Sequence, residues 1–395
     1  MVMTRWLMLL TALLLASACA TPAPPEPARP PPGLFEDAAF GAPQHVPDAN
    51  AVFALSPAMR RYLERDIAPL IRQLGPQRAL VDALHTKAQL RLEYDAELTR
   101  DAAEAFDARA GNCLSLVVMT AALAKQLQLP IAYQALTGYE SWSRSGDLSF
   151  VNGHVNITVA KRLVDRLPGY DADTQLRIEF GAMPMGRGQA LHVISEATIV
   201  SMFMNNRAAE YLVRGAVDDA YAHAREAVRQ DPNYAGAYNT LGVIYQRRGL
   251  TGAAERAYRE ALVRDDKHKP ALQNMAGLLL PQGRVAEAAV FQQRLAALER
   301  DPPFAHFDQG VAAAKAGQYA VARDHLLREM QRDPDYHEFH FWLAVSLYGL
   351  GDVEQARKHL DMAMRNSTTV RDRDIYASKL RGLPTHDRGE STHRN

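Results

Sequence analysis

A single cysteine follows a Gly-Asn pair at Gly111-Asn112-Cys113, immediately before a long apolar run. Gly and Asn are poor in helix interiors and good in turns and caps, so the pair marks a helix start. From Leu114 to Leu127 the apolar residues surround the helix instead of forming one stripe. That pattern predicts a helix to about Gln126, buried on nearly all sides. Cys113 then stands at its N-terminus, where free N–H groups and the helix dipole favour the thiolate, the nucleophilic form. The alternative is a cysteine that only fills space as a small hydrophobe. Two further side chains could take part in thiol chemistry. His154 lies in the stretch Phe150 to Ala160, where Val155, Ile157 and Val159 alternate with His154, Asn156 and Thr158. Read alone, it is a histidine on the wet side of a half-buried strand. A third predicted strand, Leu176 to Phe180, places Glu179 near its end.

The elements that must position these residues follow from turn and cap signals. Order is expected to begin near Ala51. Ser56-Pro57 is a cap followed by a first-turn proline, opening a helix with Met59, Leu63, Ile67, Leu70 and Ile71. Gly75-Pro76 breaks it, and a second helix carries Leu80, Leu84, Ala88 and Leu90. A short helix around Arg100 to Arg109 leads to the Gly-Asn-Cys turn; Arg100, Asp107 and Arg109 read as solvated charges. After the central helix, Leu129-Pro130 turns the chain into a strand, Ile131 to Thr137, followed by a polar loop, Gly138 to Asp147.

With that order of elements in view, a resemblance becomes specific. Leu98 to Phe106, then Arg109-Ala110-Gly111-Asn112-Cys113-Leu114-Ser115-Leu116, and then Gly153-His154-Val155-Asn156, are similar to the transglutaminase-like superfamily, and most to its bacterial, repeat-bearing branch. The resemblance covers roughly residues 51–197. It implies an α+β, papain-like fold with Cys113 as nucleophile, His154 as base and a carboxylate on the next strand. The usual Asp is here Glu179, one methylene longer; Asp173 and Asn156 are the substitutes within reach of the pattern. In such a site the imidazole takes the thiol proton and the carboxylate fixes its tautomer. The thiolate then attacks an amide carbonyl, with the Cys113 N–H placed to help hold the oxyanion. A thioester follows, resolved by water or by a primary amine. On the same resemblance, Glu179→Asp is expected to keep or raise the reactivity of Cys113.

The N-terminus reads as an address. Met1 to Arg5 carries one positive charge, Trp6 to Leu15 is a short apolar run, and Ala16-Ser17-Ala18-Cys19 resembles a bacterial lipobox. The resemblance implies cleavage of residues 1–18, lipidation of Cys19 and an outer-membrane lipoprotein facing the periplasm. Cys113 is then the only free thiol, with no partner for a bridge in a compartment that favours disulfides. Residues 19–50 begin with a proline-rich run and read as a flexible spacer.

The C-terminal half repeats. Gly215, Gly249, Gly283, Gly317 and Gly351 are spaced at 34 residues, each followed five residues later by an alanine. Tyr238, Leu241, Gly242, Tyr245, Ala254, Tyr258 and Ala261 resemble the tetratricopeptide signature. The expectation is a transglutaminase-like domain over 51–200, five tetratricopeptide repeats over 201–370 forming an all-α solenoid, and a capping helix with a polar tail over 371–395. Such arrays bind protein or peptide segments on their concave face. Lys plus Arg equals Asp plus Glu (45 each), which gives no electrostatic reason to invoke nucleic acid. No pattern points to a cofactor. His337 and His340 fall short of a zinc site, since an i, i+3 pair supplies only two ligands. Two functional classes remain: a cysteine protease, amidase or acyltransferase whose repeats recruit a protein substrate, or a periplasmic adaptor with a catalytically degenerate domain.

Overall fold

The computed structural model describes residues 29–85, 90, 92–96, 98–145, 148–165, 175–180, 190–298, 304–331 and 333–384, with backbone alone at 85, 137–145 and 148–152. The signal peptide, Cys19, most of the proline run and Asp173 lie outside the described residues.

Helix α1 (Pro57–Tyr62) starts where Ser56 Oγ accepts from the Met59 N–H, with Pro57 in the first turn. A π-turn over Leu63–Ile67 joins it to α2 (Ala68–Leu74), which stops at Gly75; α3 (Pro76–His85) follows. Strand β1 (Glu93–Tyr94) pairs in parallel with β2 (Ala110–Gly111), bracketing α4 (Ala102–Ala108). A reciprocal box of Asp101 and Glu104 caps α4.

Helix α5 (Cys113–Gln126) is the centre of this part, with every residue from Leu114 to Ala124 buried. It lies against a four-stranded antiparallel sheet of order β5-β4-β3-β6. The strands are β3 (Ile131–Ser145), β4 (Leu148–Ala160), β5 (Gln175–Ile178) and β6 (Ala190–Ile194). Val155, Ile157 and Val159 join the apolar core with α5. Two expectations change here. Half of the segment read as a polar loop is paired, because β3 and β4 continue through an irregularity between Leu136 and Ser141 to the pair Ser145 and Leu148. Strand β6, which gave no alternation signal, closes the β3 edge.

The rest is a helical solenoid of tetratricopeptide type. Its antiparallel pairs are α6 (Glu196–Val213) with α7 (Val217–Gln230), α8 (Ala235–Arg247) with α9 (Thr251–Arg264), and α10 (Lys269–Leu279) with α11 (Val285–Leu298). Then come α12 (Ala305–Lys315) with α13 (Tyr319–Met330), α14 (His337–Gly349) with α15 (Val353–Asn366), and the capping helix α16 (Val370–Gly382). The five periodic glycines sit in the turns with φ between 74° and 84°, a backbone state that L side chains avoid. The five alanines that follow are each 0% exposed, which lets paired helices approach.

The array packs directly on the α+β part, and it does not begin at residue 201. Helix α6 starts at Glu196, and Ile199, Val200, Phe203 and Met204 share one core with α5. Nor is the chain before Ala51 a loose spacer throughout. Residues 34–45 form a strap across the first two repeats. Tyr245 Oη donates to the Leu34 carbonyl at 2.7 Å and accepts from the Glu36 N–H at 3.2 Å. The Phe40 ring stacks on Tyr221 with centroids 3.9 Å apart, and Asp218 and Asp219 accept from the Gly41 and His45 N–H groups. The aromatic and apolar residues Leu34, Phe35 and Phe40 drive this docking, because leaving them in water would forfeit their burial. Among the described residues, buried apolar side chains fall into three clusters: one from Leu34 to Ala288, one from Phe304 to Ala356, and a small one around Ala344, Leu360, Ala363 and Tyr376.

Candidate functional site

Cys113 is the first residue of α5, half-buried, with Sγ 4.0 Å from the Gly153 carbonyl oxygen. Its backbone is fixed from both sides. Pairing of β1 with β2 holds Ala110 and Gly111, and the Asp95 N–H donates to the Gly111 carbonyl at 3.0 Å. Gly111 must be glycine, since a Cβ there would stand 2.7 Å from Ser115 Cβ. Asn112 caps the helix: its Oδ1 accepts from the Ser115 N–H and from Ser115 Oγ, both at 2.9 Å. Its Nδ2 donates to Thr99 Oγ1 at 3.0 Å. Arg100, expected to be a solvated charge, instead pairs with Asp95 at 2.9 Å, both largely shielded, while its N–H donates to Ser115 Oγ.

His154 comes from the next-but-one element, β4. The alternation was read correctly, yet its polar face is not wet: His154, Asn156 and Thr158 are all buried. Glu179 and Gln134 close over them. The His154 ring uses Nε2 toward Glu179 Oε2 at 3.0 Å, and the Cys113 side chain lies near enough to act on its protonation. Burial alone would push the imidazole down. Hydrogen bonds to Cys113 and Glu179, with the charges of both, outweigh it and hold His154 above the ordinary histidine value.

Glu179 follows directly on β5, whose last residue, Ile178, pairs with Ile157 and is fully buried. The longer side chain therefore reaches His154 from just beyond the strand end. Its other oxygen, Oε1, accepts from Asn156 Nδ2 at 2.9 Å and from Arg177 Nε at 3.0 Å. Asn156, considered above as a stand-in for the carboxylate, instead holds the carboxylate. It is 1% exposed, and its Oδ1 has no hydrogen-bond partner among the described residues. The sequence reading brought Cys113, His154 and Glu179 forward, and the structure brings these three together. It missed Arg177, the Arg100–Asp95 pair and the Thr99–Asn112–Ser115 network. The Asn112-x-x-Ser115 spacing, an N-cap with its third helical residue, was the signal available for the last.

The histidines of the last repeat are structural. His337 Nδ1 meets Tyr376 Oη at 2.8 Å; His340 donates from Nε2 to the Pro334 carbonyl at 2.7 Å and meets His359 Nδ1 at 3.0 Å. His306 and His325 repeat the latter pairing one repeat earlier. Among the described residues no cluster of three or more His, Cys, Asp or Glu could hold a metal, and no helix is long and apolar enough to cross a membrane.

No known protein-family profile matches the chain. Cellulose synthase operon protein C of Xanthomonas axonopodis pv. citri is 32% identical over 151 residues, which is 38% of this chain and 8% of that protein. The chain thus spans under a tenth of that relative's length. Three solved structures are similar at lower identity. YrrB, a TPR protein with an unusual peptide-binding site, is 20% identical with a TM-score of 0.25, covering 45% of this chain and 92% of its own. PilF of Pseudomonas aeruginosa is 23% identical with a TM-score of 0.26, covering 45% and 87%. PilW, a type IV pilus biogenesis factor, is 20% identical with a TM-score of 0.26, covering 46% and 93%.

Proposed function

We propose that the chain is a thiol enzyme of transglutaminase-like type, acting on amide or peptide bonds through a Cys113 thioester. The observation that carries this is His154, whose Nε2 meets Glu179 Oε2 at 3.0 Å, on the strand where Cys113 Sγ stands 4.0 Å from the preceding Gly153 carbonyl oxygen. His154 would take the thiol proton, and Glu179 would stabilise the imidazolium. The thiolate adds to the amide carbonyl at the start of α5, where first-turn N–H groups lack intrahelical acceptors. Collapse breaks the C–N bond, the amine leaves with the proton from His154, and water or a primary amine releases the acyl group. In this reading the tetratricopeptide array recruits a protein or peptide partner, and the chain is an envelope lipoprotein anchored through Cys19 on the periplasmic side of the outer membrane.

A second reading, an interaction adaptor with a degenerate thiol domain, draws on Arg177. Its guanidinium shares the Glu179 carboxylate with His154, so part of that charge is diverted from the imidazole. Alkylation of Cys113 by iodoacetamide, followed by mass analysis of its peptide, separates the two. An enzyme-like site should lose about tenfold or more in rate at pH 7 on His154→Ala. If His154→Ala leaves the rate unchanged, the adaptor reading stands.

A further inference from the structure

The group that orients the start of α5 is not held by the sheet domain alone. Asn112 sets the first turn through Ser115, and Asn112 is itself steadied by Thr99 Oγ1. Thr99 is 1% exposed, and both of its backbone polar groups are bound by α6, the first helix of the repeat array. Its N–H donates to Glu210 Oε1 at 2.6 Å, and its carbonyl accepts from Arg207 Nη1 at 3.2 Å. Arg207 and Glu210 lie one turn apart, 3.7 Å from each other. Arg207 also donates through Nη2 to Tyr211 Oη, and Arg214 braces Glu210 from the next turn at 3.4 Å.

This is a costly way to hold a loop. Burial pushes the Glu210 carboxyl up, against the pull of Thr99, Arg207 and Arg214. A shielded carboxylate is expensive to keep charged, and water could satisfy a loop amide at less cost. Here two side chains of one helix turn grip the two ends of one residue, and that residue's hydroxyl orients the cap of the nucleophile helix. The next residue, Arg100, continues the contact by donating its N–H to Ser115 Oγ at 2.8 Å.

We propose that Arg207 and Glu210 are positioning residues for Cys113, so that the first repeat completes the thiol site. The route runs from α6 through the Thr99 backbone and hydroxyl to Asn112, and from Asn112 to the first turn of α5. The inference rests on the thiol-enzyme reading above. It adds that the α+β part cannot work when separated from the array.

The test uses the full chain and four variants. Thr99→Val keeps the side-chain shape and removes the acceptor; Thr99→Ser restores it. Glu210→Ala removes the carboxylate, and Glu210→Gln keeps its size with one acceptor oxygen. Iodoacetamide alkylation of Cys113 is followed from pH 5.5 to 9, with thermal unfolding alongside. Thr99→Val and Glu210→Ala should slow alkylation at pH 7 by about 5- to 20-fold and move the profile toward that of His154→Ala, while Thr99→Ser and Glu210→Gln stay within about twofold of wild type. Unfolding at a lower temperature with an unchanged pH profile would show a merely structural clamp and overturn the proposal. If Glu210→Ala does not fold, Thr99→Val decides alone. A wild-type profile identical to that of His154→Ala would instead bring down the thiol reading itself, a distinct outcome.

Discussion

Shortening Glu179 to Asp restores the carboxylate usual in the resembling family, and on that ground it should preserve reactivity. The geometry predicts the opposite. Glu179 Oε2 stands 3.0 Å from His154 Nε2, and removing one methylene withdraws the carboxylate by about 1.5 Å. The backbone cannot follow, because Ile178 is fully buried and paired with Ile157. The gap becomes about 4.5 Å, outside hydrogen-bond range. A charge-assisted hydrogen bond contributes about 1.5–3 kcal/mol, so its loss should lower the thiolate–imidazolium population by roughly 10- to 100-fold. Glu179→Gln keeps the reach but loses the charge, and should fall by a comparable factor. Since His154 is held above its ordinary value partly by Glu179, both variants should also lose the imidazolium at lower pH. Iodoacetamide alkylation rates of Cys113 against pH report both effects. Wild-type rates in Glu179→Asp would refute the argument, because they would mean that the strand end yields or that Glu179 does not act on His154.

Three further outcomes are expected. Tyr245→Phe removes the hydroxyl that binds the Leu34 carbonyl and the Glu36 N–H; the strap should loosen by about 1–2 kcal/mol, read as faster amide exchange over residues 34–41, and unchanged exchange would show that Phe40 and the Asp218 and Asp219 contacts suffice. Gly242→Ala would place a methyl 2.4 Å from Tyr258 Cε1, a side chain that is fully buried, and should cost about 1–3 kcal/mol in chemical denaturation; a neutral result would mean that the α8–α9 contact can spread. Burial, with the charges of His340 and Lys358, lowers His359 from 6.5 to about 4, so the unfolded chain takes up the proton first. That contribution is complete above pH 6.5 and is lost as the pH falls toward 4. Discounted for partial exposure, it is about 1–2 kcal/mol, and His359→Phe should flatten the acid limb of the last repeats' stability.

What could be read from the chain divides along a physical line. The repeats were legible because glycine at positive φ and alanine at a helix crossing recur with one period, and each carries its own steric reason. Helix α5 was legible because its apolar residues occupy every side. The alternation in β4 identified the faces but not their burial, since Glu179 and Gln134 close one face through contacts with neighbouring segments that no local pattern encodes. The strap escaped notice for the opposite reason. Leu34, Phe35 and Phe40 are too few to make a periodic signal, and their docking surface lies about 200 residues away in the chain. Arg207 and Glu210 carry no local signal of a role, and only the fold reveals that they grip Thr99.

The division of buried side chains into separate clusters bears on how the molecule comes apart. Repeats one to three share a single apolar core with the thiol domain and the strap, whereas Phe304, Phe307, Phe339 and Leu343 belong to a cluster of their own. In a solenoid, cooperativity passes only between neighbours and is as strong as the interface that carries it. The last two repeats share no apolar cluster with the rest among the described residues, yet the Ala96 N–H donates to the Thr368 carbonyl at 3.1 Å, so their opening would also release the chain beside Asp95. A partner that grips those repeats would therefore pull on the chain next to Asp95, whose N–H holds the Gly111 carbonyl just before Cys113.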